Sequence, residues 1–137
     1  MTEPNTEPAR AAVGTYCRRY AINPPFEFSA LYPLTAENWT NTIPFHLEPG
    51  CYFFYADDGS LLYVGKASSG LASRIIKYFQ TRPSFAIRHT DWIKPPAVLQ
   101  TLKVHFAYEA SSLEEYLIQE LRPLQNRLGV PPAVEDT

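Results

Sequence analysis

Proline placement constrains this chain more than any other feature. There are thirteen prolines in 137 residues, about twice the usual share of roughly 5%, and they are clustered. Pro24-Pro25, Pro33, Pro44 and Pro49 punctuate residues 20–49. Each fixes its own φ, removes a backbone donor and pushes its predecessor toward extended conformations, so no long helix and no central strand fits there. Thr35 stands where it would N-cap one short helix through Trp39. Pro4 and Pro8 lie in a polar leader, and Pro131-Pro132 in an acidic tail. The expected organisation is a disordered leader over 1–12, an irregular extension over 13–49, one folded domain over 50–127 and a flexible acidic tail over 128–137. Tyr16, Tyr20, Phe26, Phe28, Leu31, Tyr32 and Trp39 would lay the extension over the core.

After Pro49 the pattern sharpens. Gly50-Cys51-Tyr52-Phe53-Phe54-Tyr55 and Leu61-Leu62-Tyr63-Val64 flank Asp57-Asp58-Gly59-Ser60, and two β-rich runs around an Asp-Gly turn read as a hairpin. Leu71, Ile75, Tyr78 and Phe79 repeat at helical spacing, which predicts a helix from about Leu71 to Gln80. Residues 81–97 read as loop with at most one helical turn. From Val98 to Tyr108 the chain alternates, with Leu102, Val104, Phe106 and Tyr108 on one side and Thr101, Lys103 and His105 on the other, a strand with one buried face. Ser111-Ser112 then opens a second helix, Glu114 and Glu115 stand at capping-box spacing, and Pro123 ends it. The fold class is α+β, a small three-stranded antiparallel sheet flanked by helices.

Hydrophobic residues make up 45% and charged residues 19%, a globular balance, and the length suits one domain. No apolar run approaches the roughly 18 residues of a membrane span, and Met1-Thr2-Glu3-Pro4-Asn5 lacks the features of an export signal. Cys17 and Cys51 make no disulfide framework and read as reduced thiols. A cytoplasmic protein with no membrane partner and no small-molecule cofactor is expected. The net charge is −2, but residues 60–94 carry Lys66, Arg74, Lys77, Arg82, Arg88 and Lys94 against Asp91 alone. That basic stretch permits a polyanion on one face.

Candidate chemistry follows from placing residues on these elements. Tyr52 and Tyr63 sit on paired strands, Lys66 leaves the second strand, Arg74 lies on the first helix and Glu114 on the second. At about 100° per residue, with Leu113 at zero, Leu121 falls near 80°, Glu114 near 100° and Ile118 near 140°. Glu114 therefore lies inside the apolar arc, where a carboxylate must be capped, paired with a cation such as Arg74, or bound to a metal. His46, His89 and His105 have no zinc-site spacing. His89-Thr90-Asp91-Trp92 lies between the candidate elements, where it could contact a substrate. Asp57-Asp58 is better read as turn chemistry than as a metal pair, Cys51 as core, and Trp39 and Trp92 as packing residues.

The order of these residues resembles the GIY-YIG nuclease family. Gly50-Cys51-Tyr52 looks like its first motif, with Cys51 where an apolar residue is usual. Tyr63-Val64-Gly65-Lys66-Ala67 looks like the second motif and its extension. Arg74 with Tyr78-Phe79 is similar to the helix carrying the family's catalytic arginine. Glu114, Leu117-Ile118, Pro123 and Asn126 look like its closing pattern, with the spacing of the N-terminal nuclease domain of the excision-repair nuclease subunit. The resemblance covers about 50–127.

It implies a divalent-metal-dependent endonuclease that hydrolyses phosphodiester bonds in DNA, duplex or branched. Glu114 would be the single protein ligand of Mg²⁺ or Mn²⁺. Tyr52 would act as base or position a water, with Lys66 making its phenolate accessible, and Tyr63 would complete the hydroxyl network. Arg74 would stabilise the phosphate. Gly65 and Asn126 would support the site structurally. Lys77, Arg82, Arg88, His89 and Lys94 are candidate nucleic-acid contacts. Two departures stand out: an extra residue at Ser68-Ser69-Gly70 before Arg74, and the 49-residue N-terminal stretch that the minimal family domain lacks. No zinc-finger or helix-turn-helix pattern follows residue 127, so a source of sequence specificity is not evident. The alternative is a catalytically silent nucleic-acid-binding or regulatory module with the same fold.

Overall fold

The structure is a computed structural model that describes residues 2–88 and 92–127. The expectations for His89, Thr90 and Asp91 and for the acidic tail fall outside the described residues. In chain order the elements are α1 (Glu7–Arg19), β1 (Glu27–Phe28), β2 (Tyr32–Pro33), a 3-10 turn (Asn38–Thr40), β3 (Gly50–Ala56) and β4 (Leu61–Ala67). They continue with α2 (Leu71–Ile75), a second 3-10 turn (Ile76–Tyr78), β5 (Phe79–Gln80), β6 (Ala86–Ile87), β7 (Pro96–Lys103), α3 (Ala107–Leu121) and α4 (Leu124–Arg127).

Three long strands in the order β7–β3–β4 form the antiparallel sheet, and β1 and β2 both pair with the outer edge of β7. The fold is α+β with helices on the sheet, as the residue pattern predicts. Gly59 takes φ +89° in the β3–β4 turn, a conformation that Gly supplies without steric cost. Asp58 accepts the Ser60 N–H at 3.0 Å and its hydroxyl at 2.6 Å, so the aspartate pair is turn chemistry.

The period of two along β3 sends alternate residues into two cores. Cys51, Phe53 and Tyr55 pack with Val64, Leu102, Leu113 and Leu117 beneath α1 and α3. Tyr52 and Phe54 pack with Leu62, Tyr63, Leu71, Ile75, Tyr78 and Leu99 beneath α2. Both faces of the sheet are buried, and each fully buried aromatic contributes about 1.5–3 kcal/mol by leaving water. On β7, too, Leu99 joins one core and Val98 and Leu102 the other. The reading of β7 with a single buried face is therefore corrected.

Three further expectations change. Residues 7–19 form a helix rather than frayed leader and irregular layer. Pro8 sits in its first turn, where a missing N–H costs little, and Ala9, Val13, Tyr16 and Cys17 bury against the core. Beyond that helix the proline rule holds, since β1 and β2 have two residues each and lie at the sheet edge. The strand expected through Tyr108 stops at Lys103, and the second helix starts at Ala107 rather than at the serines. Glu109 Oε1 accepts the His105 and Phe106 N–H groups at 3.0 and 2.8 Å, which caps the helix four residues early and leaves Phe106 and Tyr108 exposed. The helix expected over 71–80 ends at Ile75, tightens into the 3-10 turn and then enters β5. Thr35 Oγ1 does accept the Asn38 N–H at 3.1 Å, at the entry to the first 3-10 turn.

Candidate active site

The register of the β3–β4 hairpin sets the first half of the site. Tyr52 stands opposite Gly65, and Tyr63 opposite Phe54, so both tyrosines lie on the α2 face with ring centroids 6.3 Å apart. A Cβ at Gly65 would overlap Cζ and the hydroxyl of Tyr52, so glycine is what lets the Tyr52 ring lie across β4. Tyr78, from the 3-10 turn after α2, brings a third phenol: its hydroxyl and that of Tyr52 hydrogen-bond at 2.9 Å. Its ring also stands edge-on to that of Tyr63, with centroids 6.2 Å apart. Trp92 stands edge-on to Tyr63 at 5.9 Å and closes the cluster.

Burial pushes all three phenols up. Tyr63 is raised to about 12, and Tyr52 and Tyr78 further. Arg74 opposes the effect on Tyr52 by its charge and by a hydrogen bond, but burial dominates. Neutral phenols at pH 7 donate and orient; they do not hold a ready negative charge.

The short helix carrying Arg74 is fixed from the extension. The N–H groups of Leu71 and Ala72 donate to the carbonyls of Glu48 and His46, each at 3.0 Å, which satisfies two of the donors left open at a helix start. Arg74 then lines a cleft of about 390 Å³ with Lys66, Ser68, Ser69, Ser73 and Lys77.

The second half of the site lies across the open edge of β4. Lys66 pairs with Cys51 in the register, so its side chain points to the α3 face, opposite Tyr52, and Nζ donates to Ser111 Oγ at 3.0 Å. Lys66 is not among the groups acting on Tyr52. The expectation that it makes the Tyr52 phenolate accessible is corrected, because one step along a strand reverses the face. Lys66 acts on Glu114 instead. Burial raises that carboxyl, and Lys66 and then Arg74 oppose the rise. Glu114 is half-buried on α3, where the helical periodicity places it.

Asn126 Oδ1 accepts the Val64 N–H at 2.8 Å, and Nδ2 donates to the Val64 carbonyl at 3.1 Å. One side chain thus does for the β4 edge what a further strand would do. Gln125, buried beside it, accepts the Ile93 N–H at 2.9 Å and holds the segment that carries Trp92.

The structure brings Tyr52, Tyr63, Lys66, Arg74 and Glu114 around one strand edge, with Gly65 and Asn126 shaping that strand. Of the candidate nucleic-acid contacts, Lys77 lines the cleft. Arg82 and Arg88 line a neighbouring hollow. Lys94 is bound to Asp58 at 2.6 Å at the hairpin turn, about 20 Å along the strands from Tyr52 at roughly 3.3 Å per residue, so it does not belong to the cleft. His105 Nε2 bonds the Pro24 carbonyl at 2.7 Å, a structural role. Cys51 is fully buried, donates to the Ala110 carbonyl at 3.5 Å and has its thiol pushed up by burial; it is core. The sequence placed Tyr78 in the helical repeat that follows Arg74 and gave it no role at the site. A phenol four residues after Arg74 on the buried face was the available signal, since a buried hydroxyl must find a partner.

Among the described residues, no three His, Cys, Asp or Glu side chains stand together to hold a metal ion. Among those residues, a cation here would meet the Glu114 carboxylate, flanked by Lys66 and Arg74. That donor set suits Mg²⁺ or Mn²⁺ retaining waters and taking further oxygens from a substrate phosphate, and does not suit zinc. No helix among the described residues is long and apolar enough to cross a membrane.

A strand-borne tyrosine pair, a glycine beneath one of them, a helix-borne arginine and a glutamate on the next helix define a GIY-YIG domain. The family model described as "UvrC-like GIY-YIG domain" matches residues 48–127, and the chain belongs to that family. Curated relatives include UvrABC system protein C of Xanthomonas campestris pv. campestris, 41% identical over 78 residues, and that of Cytophaga hutchinsonii, 35% identical over 80. The alignments cover 57–58% of this chain and 12–13% of those proteins. The protein of the same name from Chlamydia caviae is 36% identical over 80 residues.

Proposed function

We propose that this chain is a divalent-metal-dependent endonuclease that hydrolyses phosphodiester bonds in DNA. The observation that carries the reading is the convergence of Arg74, Lys66, Glu114 and three buried phenols on the two sides of one strand edge. A binding module needs cations for phosphate, but it has no use for a half-buried carboxylate set among them.

Each residue has work suited to its surroundings. Arg74 donates to the non-bridging oxygens of the scissile phosphate and offsets the charge that grows there as water attacks. Tyr52, neutral and hydrogen-bonded to Tyr78, orients the attacking water rather than deprotonating it from a stored phenolate. Tyr63 fixes the far side of that network. Lys66, tethered at Ser111, keeps positive charge beside Glu114 and so favours its ionised form. Glu114 would hold Mg²⁺ or Mn²⁺, which when bound supplies acidification of a water and charge neutralisation at phosphate. Lys77 adds a phosphate contact at the cleft wall.

Nicking of supercoiled plasmid with Mg²⁺ or Mn²⁺ tests the reading. The wild-type protein nicks; EDTA stops it, and Glu114→Ala and Arg74→Ala each lower the rate by at least about 100-fold with thermal midpoints little changed. Undiminished nicking by the Glu114 variant would remove that residue from the metal site.

A further inference from the structure

The turn after Arg74 serves two hollows. Lys77 lines the cleft with Arg74 and Lys66. Its neighbour Ile76 lines a second hollow, of about 490 Å³, together with Trp39, Phe79, Arg82 and Arg88. Residues 76 and 77 share one 3-10 turn, so the two hollows adjoin at that turn.

The second hollow has a particular chemistry. Trp39 is half-buried and packs on Phe79 at 5.0 Å and on Phe85 at 4.9 Å, a rigid aromatic floor. Arg82 and Arg88 are exposed at its rim, and among the described residues no acidic side chain lines it. The Arg88 N–H donates to the Tyr78 carbonyl at 2.8 Å, and the Tyr78 phenol bonds Tyr52. The hollow and the hydroxyl cluster are therefore held by the same residue. Trp39 belongs to the extension and lies outside the matched residues 48–127.

Aromatic faces bordered by guanidinium groups hold unstacked nucleobases and their phosphates, because every base offers a π-face once it leaves the stack. A fully paired duplex keeps those faces covered. We propose that this hollow is a second subsite for the substrate strand: an unpaired base lies against Trp39 with its phosphates on Arg82 and Arg88, while a phosphodiester of the same strand occupies the Arg74 cleft. This rests on the nuclease reading and narrows its substrate to DNA with an unpaired stretch.

The test is fluorescence anisotropy of the whole chain in EDTA, which reads binding without cleavage, using one labelled oligonucleotide single-stranded and again fully paired. The single strand binds at least about tenfold tighter than the duplex. Trp39→Leu lowers single-strand affinity by about 5- to 150-fold, the worth of one stacked base, and brings the ratio toward one, while Trp39→Phe keeps most of the preference. The surface double variant Arg82→Gln/Arg88→Gln, which alters no packing, lowers the dependence of log affinity on log salt by about 1.4, at roughly 0.7 per phosphate contact. If Trp39→Leu fails to fold by its thermal melt, the arginine variant decides. Equal binding of both DNA forms, or variants that leave the ratio and salt slope unchanged, overturns the subsite, and plasmid nicking by the same preparation then leaves the nuclease reading standing. A protein that neither nicks plasmid nor binds either DNA form overturns both.

Discussion

Gly65 shows how one missing atom shapes this site. The Tyr52 ring occupies the space a Cβ would take, and the phenol is buried among Tyr63, Tyr78 and Phe54. Gly65→Ala must displace that ring, and overpacking of this kind costs about 1–3 kcal/mol. A urea midpoint lowered by that amount, together with loss of nicking, is the expected outcome. The phenols also set an alkaline limit. Tyr63 is raised to about 12 in the folded protein, whereas an unfolded tyrosine ionises near 10. Below pH 10 both states hold the proton and the group contributes nothing to the pH dependence. Between about 10 and 12 the unfolded state releases it first, so stability falls as pH rises. Urea midpoints measured from pH 8 to 12 check this, with a flat profile above pH 10 as the contrary result.

Elements depend on side chains that stand in for missing backbone. β4 is the outer strand of the sheet, and its Val64 amide and carbonyl are both taken by Asn126. Asn126→Ala leaves those groups without that partner at a strand that also carries Tyr63, Gly65 and Lys66, and costs about 1–3 kcal/mol. Faster hydrogen exchange at the Val64 amide is the direct readout. The α2 start depends likewise on carbonyls of Glu48 and His46, which ties Arg74 to the end of the extension. α3 shows the reverse case, in which local chemistry overrides pattern. Glu109 captures the His105 and Phe106 N–H groups and converts what reads as strand alternation at Phe106 and Tyr108 into a helix start.

At the scale of the whole molecule, the N-terminal residues complete the core. α1 covers the sheet face that presents Cys51, Phe53 and Tyr55, and Tyr16 shares a 2.7 Å hydrogen bond with Ser112 on α3. Val13 is 3% exposed in that layer. Val13→Asp buries an unpaired charge there and lowers stability by more than about 2 kcal/mol; an unchanged thermal midpoint would show that α1 is dispensable. Much was legible in the residues alone. The hairpin, the presence of a helix at Arg74 and the placement of Glu114 on the apolar arc of α3 are consequences of local periodicity and turn chemistry, which a sequence records directly. The joining of Tyr78 to Tyr52, the separation of Lys66 from Tyr52 by a strand face, the pairing of Lys94 with Asp58 and the covering of the sheet by α1 are not. They depend on register and on which elements meet across dozens of residues. Those choices are decided by burying both faces of the sheet at once, so only the tertiary structure contains them.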